Sequence, residues 1–126
     1  MLRQECPCGS GASYDACCGR LHRGGARAET PEELMRSRYA AYALGDLDYV
    51  WRTWHPRTRP DDLAPDSGLT WTGLAVHEAG AVDDAHGWVS FTASYALGDG
   101  TAGRLQEHSR FERRAGHWLY VDGDVS

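Results

Sequence analysis

Apolar positions recur with two different periods along this chain, and the change falls near Leu69. Between Thr30 and Pro56 the period is helical: Leu34, Met35, Arg38, Tyr39 and Tyr42 predict a helix over about 31–44. Thr30 can cap it, Pro31 suits its first position, Glu33 completes a capping box, and Gly45 supplies the stop. Asp46 is positioned to cap a second helix over 46–55, with Leu47, Val50, Trp51 and Trp54 as its apolar stripe. Trp51 and Trp54 are therefore expected to be largely buried. Residues 56–68, with Pro56, Pro60, Pro65 and Gly68, read as a loop or lid. From Leu69 onward the period is two, in runs at 69–79, 87–97, 104–113 and 117–122. Asp83-Asp84 with Gly87, Gly98-Asp99-Gly100 and Ala115-Gly116 separate them, connections too short for parallel crossovers. The pattern predicts an α+β body: two N-terminal helices packed against an antiparallel sheet that curls around them.

Residues 1–27 fit neither period. They hold all four cysteines and end in Gly24-Gly25, and a stretch this small cannot bury enough apolar surface to fold alone. The chain divides into a cross-linked mini-module at 1–27 and a main domain at 28–126. Composition changes this picture little: 126 residues, 41% hydrophobic and 25% charged, suit one globular domain with a small appendage. The net charge of −5 disfavours a dedicated nucleic-acid binder. No apolar run approaches the roughly 20 residues of a membrane span. Met1-Leu2-Arg3-Gln4-Glu5-Cys6 lacks the apolar core of a secretory signal, so a cytoplasmic protein is expected.

The cysteines read Cys6-Pro7-Cys8, eight residues, then Cys17-Cys18. Four soft thiolates within thirteen residues suit the tetrahedral demand of Zn²⁺, and Gly9-Ser10-Gly11 lets the backbone turn its amides toward the sulfurs. Four sulfurs would leave a formal charge of −2, for Arg20 or Arg23 to offset. His22, four residues past Cys18, leaves a three-Cys, one-His set open. Two disulfides are the competing assignment, but a reducing compartment opposes them. No C-x-x-C motif is present to support a redox pair.

Cys6-Pro7-Cys8-Gly9-Ser10-Gly11, Tyr14 and Cys17-Cys18-Gly19 resemble the SEC-C motif, a zinc-binding module. Leu34-Met35-Arg36-Ser37-Arg38-Tyr39, Thr53-Trp54-His55-Pro56, Val89-Ser90-Phe91, His108-Ser109-Arg110-Phe111 and Trp118-Leu119-Tyr120-Val121-Asp122-Gly123 resemble the bacterial YchJ family. That resemblance implies an N-terminal SEC-C motif joined to a nuclear-transport-factor-2-like, SnoaL-like domain, a curved sheet wrapped around helices into a cone. It implies the four cysteines as the ligand set, and no biochemical activity.

Strand parity supplies the candidate pocket. In 104–113, Arg104, Gln106, His108, Arg110 and Glu112 form a polar face, while Glu107 shares the other with Leu105, Ser109, Phe111 and Arg113. An inward carboxylate needs a partner, and Arg38 on the first helix is the expected one. Val89, Phe91, Ala93 and Tyr95 form an apolar wall. The cone resemblance favours Trp118, Tyr120 and Asp122 looking inward, with His55 at the cavity mouth. Glu107, Asp122, His55, Tyr39 and Tyr120 are thus the candidate acid–base set. The competing assignment makes Glu107–Arg38 a structural ion pair and the aromatics plain core. His22, His77, His86, His108 and His117 show no spacing for a second metal and read as surface or turn residues.

Two functions follow. The first is a binding or adaptor protein with structural zinc, in which the module meets a protein partner through Arg20, Arg23 and Arg27 and the cone offers a pocket or homodimer face. The second is a small-molecule enzyme or ligand carrier using acid–base residues in the cavity. The sequence favours the first. Nucleic-acid binding by three arginines is weak at cellular salt.

Overall fold

In the computed structural model, residues 5–61, 63 and 68–126 are described. The N-terminal tetrapeptide and most of the Pro65 end of the expected loop lie outside them. Helix α1 spans Cys18–His22, α2 Pro31–Leu44 and α3 Leu47–Arg52. The strands are β1 Leu69–Asp83, β2 His86–Leu97, β3 Ala102–Arg114 and β4 His117–Val125. They form one antiparallel sheet in the order β1-β2-β3-β4, as the short connections require. No helix among the described residues is long and apolar enough to cross a membrane.

Helix α2 forms where its caps dictate. The Thr30 hydroxyl accepts from the Glu33 amide at 3.1 Å, and the Glu33 carboxylate accepts from the Glu29 amide at 2.8 Å. Gly45 ends the helix in the left-handed region (φ 79°). The β3–β4 turn places both Ala115 and Gly116 at positive φ, the mark of a two-residue primed turn. Three register shifts in β1 bend that strand, and α2 packs against β1, β2 and β4. Leu34, Val50 and Val89, among the most deeply buried residues, occupy this layer.

The second helix corrects the sequence reading. It ends at Arg52, because residues 53–55 join the sheet edge: Tyr120 N donates to Thr53 O, and His55 N donates to Tyr120 O at 2.7 Å. Tyr49 and Val50 fill the core there. Trp51 is exposed, with the Arg59 guanidinium 3.6 Å from its ring centre, and Trp54 is half-buried.

Candidate functional site

The module is built around a tight turn. Cys6 N donates to Ala12 O at 2.9 Å, and Gly9 and Gly11 both take positive φ between them. Cys17 and Cys18 follow at the start of α1. The Sγ atoms of Cys6, Cys8, Cys17 and Cys18 all lie within 4.8 Å of one another. The Cys8–Cys17 separation is 3.6 Å and Cys17–Cys18 is 3.9 Å. A tetrahedron with metal–sulfur bonds of 2.3 Å has edges of about 3.8 Å, so the cluster already has the size a tetrahedral ion needs. None of the four is oxidised.

The electrostatics point the same way. A hydrogen bond from Cys18 lowers the Cys8 thiol to about 4, while that same bond, with burial, pushes Cys18 up. Burial likewise raises Cys6. Cys8 is thus favoured as a thiolate, while Cys6 and Cys18 are disfavoured as such without a cation beside them. The four cysteines are positioned to bind a metal ion.

Of the two arginines the sequence suggested, Arg20 lies beside Cys17 and Cys18, and Arg36 joins it there. Arg36 Nη1 donates to the Cys8 carbonyl at 2.7 Å; against burial, its ion pair with Glu32 and then the nearby Cys8 hold its pKa up. Arg20 binds Glu33 and also feels the charge of Cys17 and Cys18, whereas the exposed Arg23 binds Asp15. His22, expected as a ligand or a surface residue, is buried. Its Nε2 lies 2.8 Å from the Ser37 carbonyl and its Nδ1 2.6 Å from the Tyr14 hydroxyl. A carbonyl can only accept, so Nε2 carries the proton and Nδ1 accepts from Tyr14. Both nitrogens are used. With Arg52 donating to its carbonyl, His22 fastens the module to α2 and α3.

On the opposite side of α2 lies a cavity of about 270 Å³. Met35, Arg38, Tyr39 and Tyr42, spaced i, i+3, i+4 and i+7, give it one wall. Trp71, Phe91, Ala93, Leu105 and Phe111 give the sheet wall, and Trp54 and Tyr120 the end. Glu107 and Ser109 supply its polar floor. Ser109 donates to Glu107 Oε2, and Tyr120 donates to the same oxygen at 3.3 Å. A Cβ on Gly123 would overlap that carboxylate, so any other residue there must displace it. Burial raises the Tyr120 pKa, and the neighbouring Glu107 charge raises it further.

Of the five acid–base candidates, Tyr39, Glu107 and Tyr120 line this cavity; Asp122 and His55 do not. Asp122 is exposed and accepts from Arg110 Nε at 2.6 Å. The register shifts where Arg110 pairs with Asp122 but Phe111 pairs with Tyr120. That bulge at Val121 reverses the parity of everything after Tyr120, turning Asp122 out and Gly123 in. His55 is buried but lies on the far side of the sheet edge. Its Nδ1 accepts from the Arg57 amide, and its Nε2 lies 3.4 Å from Glu112 Oε1 without hydrogen-bond alignment.

Arg38 is not the ion-pair partner of Glu107; no pair forms within 4.0 Å. Its Nη1 donates to the Val50 carbonyl and to the Thr53 hydroxyl, each at 2.8 Å. Its guanidinium sits beside the edge-to-face pair of Trp54 and Tyr120, 5.1 and 4.6 Å from their ring centres. Parity places Ser109 beside Glu107 and the helical stripe includes Trp54, but neither stands among the site residues expected from sequence, nor does Gly123. The signal that could have promoted Ser109 is that a hydroxyl two residues from an inward carboxylate can donate to it.

Comparison with known proteins follows the same division of the chain. The family model described as "YchJ, middle NTF2-like domain" matches residues 30–123, and the SEC-C motif model matches residues 3–20. A UPF0225 protein of Cupriavidus pinatubonensis is 55% identical, covering 95% of this chain and 87% of its own length. The solution structure of a SEC-C motif containing protein from Rhodopseudomonas palustris superposes with a TM-score of 0.87 at 37% identity, covering 96% of this chain and 98% of that one. A SEC-C motif containing protein from Psychrobacter arcticus gives 0.80 at 28% identity, covering 98% and 83%.

Proposed function

The chain belongs to the YchJ family, and on that footing we propose that it is a cytoplasmic small-molecule-binding protein braced by one structural Zn²⁺. Zinc is the reading because four thiolates at tetrahedral spacing suit a soft-tolerant ion with no geometric demand of its own. Four protein sulfurs leave no vacant position, so the metal holds residues 1–27 together and does no chemistry. Native mass spectrometry should find one zinc per chain; two disulfides, or no metal, would refute this part.

The single observation behind ligand binding is the aromatic cavity with Glu107 on its floor and no cation bonded to that carboxylate. An adaptor surface at residues 19–27 has less support. Glu33 and Asp15 engage Arg20 and Arg23, leaving Arg27 without an ion pair among the described residues. A preformed, mostly apolar pocket with a few convergent polar groups is the usual form of a ligand site. Saturation-transfer NMR with neutral aromatic fragments such as indole tests the reading. Ala93→Leu, which fills the cavity from the β2 wall, should abolish the signal. Fragment binding that ignores this substitution, or no binding at all, would overturn it.

A further inference from the structure

Resting on the cavity-binding reading, we infer that the ligand is a small zwitterion with an apolar body, the chemical class of a free hydrophobic α-amino acid. The cavity contains two opposite charges that the protein holds apart. Arg38, 5% exposed, spends only Nη1 on protein acceptors; its Nε and Nη2 have no hydrogen-bond partner among the described residues. The Trp54 and Tyr120 rings flank the guanidinium, and neither offers Nε or Nη2 a hydrogen-bond acceptor. Glu107 commits Oε2 to Ser109 and Tyr120, and Oε1 has no partner among the described residues. One side chain spans the two poles: the Tyr120 ring takes Arg38 on its face, and its hydroxyl reaches Glu107.

Charges removed from water are costly unless they are paired, yet separate anchors keep these from closing on each other. The end of α3 holds Arg38; Ser109, Tyr120 and the bare backbone of Gly123 hold Glu107. Both are fixed before any ligand arrives. A guanidinium edge takes a carboxylate, and a carboxylate oxygen takes an ammonium. A ligand with one charge would meet its like at the other pole, whereas a zwitterion satisfies both. The remaining walls, Trp71, Phe91, Leu105 and Phe111, ask for an apolar body. The space of about 270 Å³ is near the lower end of small-molecule sites, about 300–1,000 Å³, and so suits a compact ligand.

Three probes share one apolar body and differ only in charge: L-phenylalanine, 3-phenylpropionate and 2-phenylethylamine. Calorimetric titration of the metal-loaded protein should show phenylalanine binding at least tenfold tighter than either analogue. Glu107→Gln should abolish the preference over 3-phenylpropionate while keeping affinity for that acid. Arg38→Met, checked for folding by circular dichroism, should abolish the preference over the amine. Analogues that bind as tightly as phenylalanine, or a preference untouched by Glu107→Gln, would overturn the inference. So would indole binding, sensitive to Ala93→Leu, with no binding of any charged probe; that outcome leaves the cavity reading standing. If indole also fails, both fall.

Discussion

Replacing Gly123 by alanine tests the geometry of the cavity floor through a single methyl group. Gly123 is not at positive φ, so alanine brings no backbone strain. In an unobstructed strand it would stabilise by about 0.5–1 kcal/mol through the unfolded chain. Here the new Cβ falls on the Glu107 carboxylate, the far end of a side chain that can swing away. Swinging away breaks the hydrogen bonds from Ser109 and Tyr120. Hydrogen bonds to a charged group contribute about 1.5–3 kcal/mol each, and hydration of the displaced carboxylate returns part of that. The net expectation is destabilisation of about 1–2 kcal/mol, within the usual range for overpacking. In a Glu107→Ala background the obstruction is gone, and Gly123→Ala should become neutral or stabilising. Urea denaturation followed by tryptophan fluorescence, on all four corners of the cycle, measures the coupling. If Gly123→Ala is harmless with Glu107 present, the carboxylate is not wedged between Ser109, Tyr120 and the Gly123 backbone, and the preorganisation argued above fails.

Cys8→Ser should lose the metal and release residues 5–27 to proteolysis while the sheet stays folded; retention of one zinc per chain would contradict the four-sulfur set. His22→Phe strands the Ser37 carbonyl and the Tyr14 hydroxyl, and should cost about 2–4 kcal/mol of stability by thermal melting at constant zinc, against no change if the ring were a spectator. The alkaline limb of stability follows from the tyrosines, because burial raises Tyr14, Tyr39, Tyr42, Tyr49 and Tyr120 above their ordinary value. Above about pH 10 the unfolded chain loses phenolic protons that the native state keeps, so it binds fewer protons and stability falls with pH. Tyrosinate absorbance should therefore rise together with loss of structure; ionisation of all six tyrosines in a folded protein would refute it.

What the sequence made legible is what local rules control. The bounds of α2 follow from Thr30, Pro31, Glu33 and Gly45, all within one turn of its ends. The four strands follow from period two, and their order from connections of a few residues. Parity also put Glu107 on the cavity side, three strands' pairing away from anything local. Parity fails wherever a bulge intervenes, and nothing about Val121 marks it as one, so Asp122 was assigned to the wrong face. Trp51 and His55 were misread for another reason. A helical stripe continues only as far as the helix, and the β4 edge captures the chain after Arg52. The partner of Arg38 was beyond reach because the choice between Glu107 and the Val50 carbonyl turns on about one side-chain length.

Arg36 escaped for a reason that bears on how the molecule works. Helix α2 is buried on two sides, so its apolar pattern does not reveal which polar residue serves which neighbour. Glu33, Arg36 and Ser37 face the module, where they meet Arg20, the Cys8 carbonyl and His22. Met35, Arg38, Tyr39 and Tyr42 line the cavity. None of the four cysteines is among the residues lining that cavity, so a metal in the cluster cannot touch a ligand there. It can act only through the helix between them. That path is short: His22 grips Ser37, the Ser37 hydroxyl lies 2.8 Å from the Tyr49 hydroxyl, and Val50, the next residue, holds Arg38 by its carbonyl. On the proposed reading, metal in the module would therefore steady the wall that carries Arg38 through His22, Ser37, Tyr49 and Val50.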